Sequence, residues 1–339
     1  MPFISEILQY DSLSIVGLEK NVGKTECLNY ILRRLPLHNT RVAVTSIGID
    51  GENKDQVTST KKPEIYLREG MFLSTAESHY RERRLVSELI EITNERSSLG
   101  RIITARVVVG GKALISGPSS GVSLRRWAAG IKRYGIDLTI IDGAISRLSS
   151  ASPAISKAMI LSTGAALSSN INTLVQKTKF VVEMIGLNIL KDDSRDTLCD
   201  IEAGVWGIDI EGNLVDFKIT SALAINTLKV DITKGMKIIY TVGALTDKLL
   251  NLIAESKNIK NVTLVVKDFT KIFVSETAYR TFCSRGGNIR VLQKSKLIAV
   301  CVNPTAPNGY VLDSNTLCRK LREAIKLPVY DIVKNEYDI

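Results

Sequence analysis

The residues that could do chemistry are concentrated in one short segment near the start of the chain. Residues 14–26 read Ser-Ile-Val-Gly-Leu-Glu-Lys-Asn-Val-Gly-Lys-Thr-Glu, an apolar run that leads into a glycine-bounded loop. The backbone N–H groups of such a loop can surround phosphate oxygens, and the start of a following helix adds partial positive charge. Lys24 is then placed to reach the β- and γ-phosphates of a nucleotide, and the Thr25 hydroxyl to ligate Mg²⁺.

The spacing of the glycines departs from the commonest form of this motif. That form, G-x-x-x-x-G-K-[ST], has four residues between its glycines, whereas residues 18–22 make five. The alternative is an ordinary strand–helix turn whose lysine faces solvent. The Gly-Lys-Thr end falls at the predicted helix start, which favours the phosphate-binding loop. The loop residues expected to contact the nucleotide are Gly17, Lys20, Asn21, Val22, Gly23, Lys24, Thr25 and Glu26.

Two aspartates follow predicted strands and are candidates for catalysis and metal binding. Asp142 ends the run Asp-Leu-Thr-Ile-Ile-Asp, the position of a carboxylate that orients Mg²⁺ and its waters opposite the loop. Asp50 follows the strand predicted over 41–46, at the edge where open α/β sheets bind ligands. An ordinary Asp-Gly turn is the equal alternative for Asp50. We predict Lys24, Asp50 and Asp142 as catalytic residues and Thr25, Asp50 and Asp142 as Mg²⁺ ligands.

Two other loops offer polar groups at the ends of predicted elements. Asn303 and Pro304 follow a buried strand and are candidates to hold a nucleotide base, by an amide hydrogen bond and by ring packing. A proline-rich turn is the equal alternative there. Ser119, Ser120 and Gly121 precede a helix and could bind an anion, but a serine N-cap is the favoured interpretation.

Strand–helix alternation around these loops predicts an α/β fold with a mostly parallel sheet flanked by helices, as in P-loop NTPases, and with β-hairpin insertions. A helix is expected from about residue 75 to 92, and a hairpin near 101–116 with its turn at the two glycines 110 and 111. The predicted domains are a nucleotide-binding core over 1–187, a small antiparallel insertion or linker over 188–234, and an α/β segment over 235–339 that completes the sheet or forms a second lobe.

Composition narrows the class of protein. The 339 residues are 45% hydrophobic, which is ample for a large core. Five cysteines without C-x-x-C spacing indicate a reduced, cytoplasmic chain. The sequence has only two histidines, which disfavours a histidine metal site or a Ser-His-Asp triad. We expect no signal peptide, no membrane span and no membrane partner.

The net charge of +10 suggests an anionic partner, a nucleotide or a nucleic acid, or merely a solvated basic face. The basic residues are spread along the chain, and few aromatic residues lie among them. Because single-stranded nucleic acid is usually bound on interleaved aromatic side chains, a nucleic-acid partner is not expected, and a nucleotide is.

Several short segments resemble known families. The five-residue loop over 17–25 resembles that of dethiobiotin synthetase-like members of the SIMIBI class of P-loop NTPases, which contains signal-recognition and metallochaperone-related proteins. The wording of the whole segment over 14–25, taken with three later segments, is more similar to the reactivase subunit of lysine 5,6-aminomutase from amino-acid-fermenting bacteria. The later segments read Ile-Gly-Ile-Asp-Gly-Glu, Ile-Ile-Asp-Gly-Ala and Val-Asn-Pro-x-x-Pro-x-Gly-Tyr.

This resemblance implies an ATP- and Mg²⁺-dependent ATPase. With a MutS-like ATPase subunit, it would restore an adenosylcobalamin-dependent aminomutase whose cobalamin cofactor is damaged. Lys20 would stabilise charge on the phosphates, as a signature lysine does in related dimers, so a homo-oligomer is compatible with it. Hydrolysis would change the loops over 48–54 and 144–152. The alternatives are a small-molecule ATP-dependent ligase with its substrate near residues 116–121, and a nucleotide-binding regulatory module that does not hydrolyse.

Overall fold

The computed structural model describes residues 3–47, 64–144, 152–219 and 231–334. The chain forms two compact units. The first comprises residues 1–179 and 295–339, and the second comprises residues 180–294, so the second is an insertion in the sequence of the first.

Helices and strands are numbered along the whole chain. The helices are α1 (Phe3–Ile7), α2 (Lys24–Arg34), α3 (Glu77–Arg81), α4 (Gly121–Ile131), α5 (Ile171–Ile185), α6 (Arg195–Cys199), α7 (Asp247–Ala254), α8 (Glu276–Ser284) and α9 (Ser314–Ile325). The strands are β1 (Ser12–Gly17), β2 (Val42–Ser46), β3 (Ile65–Leu67), β4 (Phe72–Ala76), β5 (Arg84–Ser97), β6 (Gly100–Ala113), β7 (Leu138–Ala144), β8 (Ala158–Gly164), β9 (Val205–Asp209), β10 (Leu214–Ile219), β11 (Met236–Thr241), β12 (Leu245–Thr246), β13 (Thr263–Val266), β14 (Ile272–Phe273), β15 (Asn288–Val291), β16 (Lys296–Asn303) and β17 (Val329–Asp331).

The first unit is organised around one large sheet. Its strand order is β17-β16-β8-β1-β7-β2-β4-β6-β3, and β5 pairs with β6. The strands from β17 to β4 pair in parallel, whereas β6 is antiparallel to β3, β4 and β5. The predicted α/β fold with a mostly parallel sheet and flanking helices is therefore confirmed at this level.

Helix α2 follows the central strand and packs on the sheet through one apolar face. Leu28, Ile31 and Leu32 repeat at the three- and four-residue spacing of a helix face, and all three are fully buried. All six residues of β1 are buried as well. This packing holds the N-terminus of α2 at the carboxyl end of β1, where ligands of open α/β sheets bind.

The helix predicted from residue 75 to 92 is wrong beyond its first turns. α3 ends at Arg81, and β5 then runs for 14 residues beside β6. Register shifts interrupt the β5–β6 ladder near Val86 and Leu89. Each bulge inserts a residue and breaks strict alternation, so the apolar residues of this strand imitate the spacing of a helix face.

The hairpin predicted near 101–116 is also wrong, because β6 runs unbroken through Gly110 and Gly111. The hairpin of this region is formed by β5 and β6, and its turn lies at residues 98–99. A β-carbon at Gly111 would lie 2.0 Å from the carbonyl oxygen of Arg84. This glycine allows two backbones to approach closely, which is the other common use of glycine inside a strand.

The second unit has its own sheet, with the order β10-β9-β11-β13-β15. β9 and β10 form an antiparallel hairpin around the turn Glu-Gly-Asn at 211–213, and β11, β13 and β15 are parallel. The core under α7 and α8 includes Leu249, Leu250 and Phe282. The sequence placed domain boundaries at 187/188 and 234/235. The boundary at 234/235 falls inside this unit because the strands on either side of it share one sheet, and the boundary at 187/188 does so because the unit begins at residue 180.

No helix within the described ranges is long and apolar enough to cross a membrane.

Candidate functional site

The predicted phosphate-binding loop joins β1 to α2 as a tight, inward-folded turn. β1 ends at Gly17, and Gly23 adopts a left-handed conformation (φ 84°) immediately before α2. A β-carbon at Gly17 would lie 2.9 Å from Val22 Cγ2. The Leu18 N–H donates to the carbonyl of Ser162 on the neighbouring strand β8 (2.9 Å). Gly23 is therefore favoured by its left-handed backbone conformation, and Gly17 by the lack of space for a side chain beside Val22.

The N-terminus of α2 presents backbone donors without a side-chain cap. The N-cap residue, Gly23, has no side chain to accept from them, and its carbonyl receives the Cys27 N–H at 2.9 Å. The first N–H groups of a helix have no acceptor inside the helix. Together with the partial positive charge of the helix end, these donors suit a phosphate group.

Lys24 and Asp142 form an ion pair beside this helix end. Lys24 Nζ lies 2.9 Å from Asp142 Oδ1, and the two side chains are 22% and 12% exposed. Asp142 stands on β7, which pairs in parallel with β1 and places Asp142 opposite Ile15. Two residues separated by more than a hundred positions are thus brought together by one strand pairing. The structure joins the predicted lysine and the predicted aspartate in one site.

The residues of the site fit a magnesium ion. Asp142 Oδ1 is buried and accepts no hydrogen bond from the residues that the structure describes, so its contact with Lys24 Nζ is an ion pair. Thr25, half-buried in the first turn of α2, adds a hydroxyl oxygen. A hydroxyl, a carboxylate and phosphate oxygens are the donor set that Mg²⁺ takes in nucleotide sites. The described residues contain no cluster of three or more His, Cys, Asp or Glu side chains that could hold a metal by themselves.

Asn303 is the late-sequence candidate that the fold brings to the loop. It ends β16, which pairs with β8, and β8 pairs with β1. A β-carbon at Gly23 would lie 2.7 Å from Asn303 Cβ and 3.2 Å from Asn303 Nδ2. Asn303 therefore packs against the loop over residues 17–25 at Gly23. Pro304, which follows it, is buried.

Three other residues named from the sequence lie at a helix cap or on the exposed part of the loop. Ser120 is the N-cap of α4, because its Oγ accepts from the Ser123 N–H at 3.1 Å, so the favoured N-cap interpretation is confirmed. Lys20 and Asn21 are exposed on the loop, and Asn21 has a positive φ of 61°. The Lys20 N–H donates to Glu19 Oε1 at 3.0 Å. The nucleotide contacts assigned to Lys20 and Asn21, to the rest of the loop over 17–26 and to Asn303 and Pro304 all stay predictions.

Asp50 lies outside the described residues, as do the whole loop over 48–54 and most of that over 144–152. The roles predicted for them remain untested.

Two serines near the carboxyl edge of the large sheet are not among the residues that the sequence predicts for the site. Ser162, on β8, is fully buried opposite Gly17, and its Oγ has no hydrogen-bond partner among the described residues. Ser46, on β2, lies opposite Asp142, and its Oγ accepts from the Gly117 N–H at 3.0 Å. A polar residue at the end of an apolar strand is the signal that could have singled them out. Without the strand order, that signal does not show which strand ends are neighbours.

Comparison of the chain with protein-family models, with curated proteins and with solved structures gave no significant match. The case for a function therefore rests on the geometry of this site and on the short sequence segments described above.

Proposed function

We propose that this chain binds a magnesium–nucleoside triphosphate, ATP in the first instance, at the loop over residues 17–25 and hydrolyses it. The observation that supports this most is the Lys24–Asp142 pair, with 2.9 Å between its charged atoms. The pair lies where the N-terminus of α2 and the ends of two parallel strands meet. A cation for phosphates and an anion for a metal shell are both needed there.

The roles of the side chains follow from their charges. When a nucleotide enters, the Lys24 ammonium leaves the Asp142 carboxylate and binds the phosphate oxygens. It then stabilises the negative charge that develops during hydrolysis. Asp142, released from Lys24, and Thr25 would hold a magnesium ion through their side-chain oxygens. Bound Mg²⁺ supplies further charge neutralisation at the phosphates. The backbone donors of the loop and of α2 hold the phosphates in place.

The test is nucleotide binding and phosphate release by the full chain, with Lys24→Ala as the loss-of-function variant. We expect Lys24→Ala to weaken Mg-ATP binding by roughly tenfold to hundredfold, because a charged hydrogen-bond donor is lost. Lys112→Ala, at an exposed position on β6, is the matched control and should bind as the wild type does. Absence of nucleotide binding by the wild type would refute the proposal.

Lys24→Ala also leaves Asp142 without its cation, so the variant needs a check of folding. The double variant Lys24→Ala/Asp142→Asn removes both charges. If both variants melt cooperatively and neither binds Mg-ATP, the loss belongs to the site. If the double variant regains full binding, the proposed role of Lys24 is wrong.

A finer proposal rests on the resemblance to the aminomutase reactivase subunit. Under this proposal, the chain acts together with a MutS-like ATPase subunit. Their nucleotide-driven conformational change releases damaged cobalamin from an adenosylcobalamin-dependent amino-acid aminomutase. The assay uses lysine 5,6-aminomutase inactivated with hydroxocobalamin, and adds the partner subunit, ATP and this chain. Return of activity that requires Lys24 supports the proposal. Product formation from a small carboxylate or amine substrate without any protein partner would instead support a ligase.

A further inference from the structure

Asn303 is held in one orientation at the end of β16. Its backbone carbonyl accepts from the Ala165 N–H at 2.9 Å, and its side-chain Oδ1 accepts from the Thr305 N–H at 3.0 Å. The second bond decides which end of the side-chain amide is oxygen, because a backbone N–H requires an acceptor. The Nδ2 group is therefore the end that remains for other partners.

That Nδ2 group lies beside the glycine that opens α2. It is 3.2 Å from the position of a β-carbon on Gly23. Within the described part of the chain it has no hydrogen-bond partner, and Asn303 is half-buried rather than sealed from solvent. Two N–H donors thus stand next to the helix end whose own first N–H groups suit a phosphate.

We propose that Asn303 binds the phosphate chain of the nucleotide through Nδ2, and does not bind the base. This inference rests on the proposed function and names a further residue of the same site. A base is separated from the loop-bound phosphates by the ribose and lies further from Gly23. The contact with Gly23 therefore places the amide on the phosphate side, contrary to the role in base binding that the sequence suggests. The donor adds to the charge-assisted hydrogen bonds of the loop.

The decisive variant is Asn303→Asp. Aspartate has the same shape and keeps an oxygen to accept from the Thr305 N–H, but it replaces the Nδ2 donor with a negatively charged oxygen. The probes are Mg-ATP, Mg-GTP and Mg-tripolyphosphate, which has no base. Asn303→Ala is the second variant. Asn308→Ala controls for disturbance of the loop, because the Oδ1 of Asn308 accepts from the Tyr310 N–H in the same loop at 3.2 Å.

We expect Asn303→Ala to weaken binding of all three probes by a similar factor, about tenfold, and Asn303→Asp to weaken it more because the carboxylate repels phosphate. Asn308→Ala should leave all three affinities unchanged. A loss for ATP and GTP without a loss for tripolyphosphate, or a changed ATP-to-GTP ratio, would identify a base-binding residue and overturn the inference. Unchanged affinities in both Asn303 variants would also overturn it. If the wild type binds none of the probes, the proposed function itself fails.

Discussion

Gly17 and Val22 are in contact across the loop over residues 17–25, such that a β-carbon at Gly17 would lie 2.9 Å from Val22 Cγ2. Val22 is almost fully buried, and so is Leu18 on the other side of the loop. The loop has five residues between its glycines instead of four. Two of the five are packed inward, so the longer loop is still a compact, closed turn. Its shape depends on the absence of a side chain at Gly17.

Gly17→Ala should therefore distort the loop. We expect a loss of about 1–3 kcal/mol in the free energy of unfolding, because the new methyl group overpacks a filled space, together with weaker Mg-ATP binding. Thermal unfolding and a binding titration measure the two effects. Gly17→Ala/Val22→Ala should recover part of both, since the Cγ2 contact is removed.

Gly130→Ala is the matched control for that variant. No atom of the described segments lies within 4 Å of a β-carbon at Gly130, inside helix α4. Alanine there should stabilise the chain by about 0.5–1 kcal/mol and leave nucleotide binding unchanged. If Gly17→Ala unfolds at the wild-type temperature and binds Mg-ATP with the wild-type affinity, the packing argument is wrong.

Asp142→Asn should affect hydrolysis more than nucleotide binding. The amide keeps the shape of the carboxylate but not its charge, so the metal shell is weakened while the loop and Lys24 still hold the phosphates. We expect phosphate release to slow roughly hundredfold and to need more Mg²⁺. Steady-state assays over a Mg²⁺ titration measure both.

Asp313→Asn is the control for this substitution. Asp313 is the N-cap of α9, and its Oδ1 accepts from the Thr316 N–H at 2.8 Å. Asparagine caps helices about as well as aspartate, so activity and stability should change little. Equal rates for Asp142→Asn and wild type would exclude a catalytic role for the Asp142 charge.

Ser120→Ala distinguishes a helix cap from an anion site. Removal of the Oγ that accepts from the Ser123 N–H should cost about 1 kcal/mol of stability. Because the serine acts as a cap, Mg-ATP affinity should stay at the wild-type value. Chemical denaturation and a binding titration give the two numbers. A selective loss of nucleotide affinity, with unchanged stability, would restore the anion-site interpretation.

Asp192→Asn should destabilise the second unit in a pH-dependent way. Lys237 Nζ lies 2.6 Å from Asp192 Oδ2, and the hydrogen bonds from Lys237 and Ser194 lower the pKa of this carboxyl to about 2. A group whose pKa is lower in the folded state stabilises it above the unfolded value near 4, and this contribution is lost as pH falls through the folded value.

The difference in melting temperature between wild type and Asp192→Asn should therefore be constant above about pH 4 and shrink towards pH 2. Thermal melts from pH 2 to pH 7 measure it. A difference that does not depend on pH across this range would mean that the ionisation of Asp192 has no part in the effect.

The sequence alone determines the features of this protein that depend on neighbouring residues. The loop over 17–25, the helix that follows it and the hairpin of β9 and β10 are all specified by glycines, turn residues and apolar periodicity within a short window. Such signals are local, so they can be interpreted without knowledge of the fold. Lys24 and Thr25 could be chosen on this basis before any strand order was known.

Only the tertiary structure decides which distant segments share the site. Asp142, Ser162 and Asn303 reach the loop because β7, β8 and β16 lie on either side of β1, and nothing local encodes that order. Tertiary pairing also overrides local pattern in β5, where bulges against β6 turn an apparent helix face into a strand. Backbone hydrogen bonds between strands far apart in sequence are non-local interactions. They therefore settle both the site and the strand that the sequence misassigned.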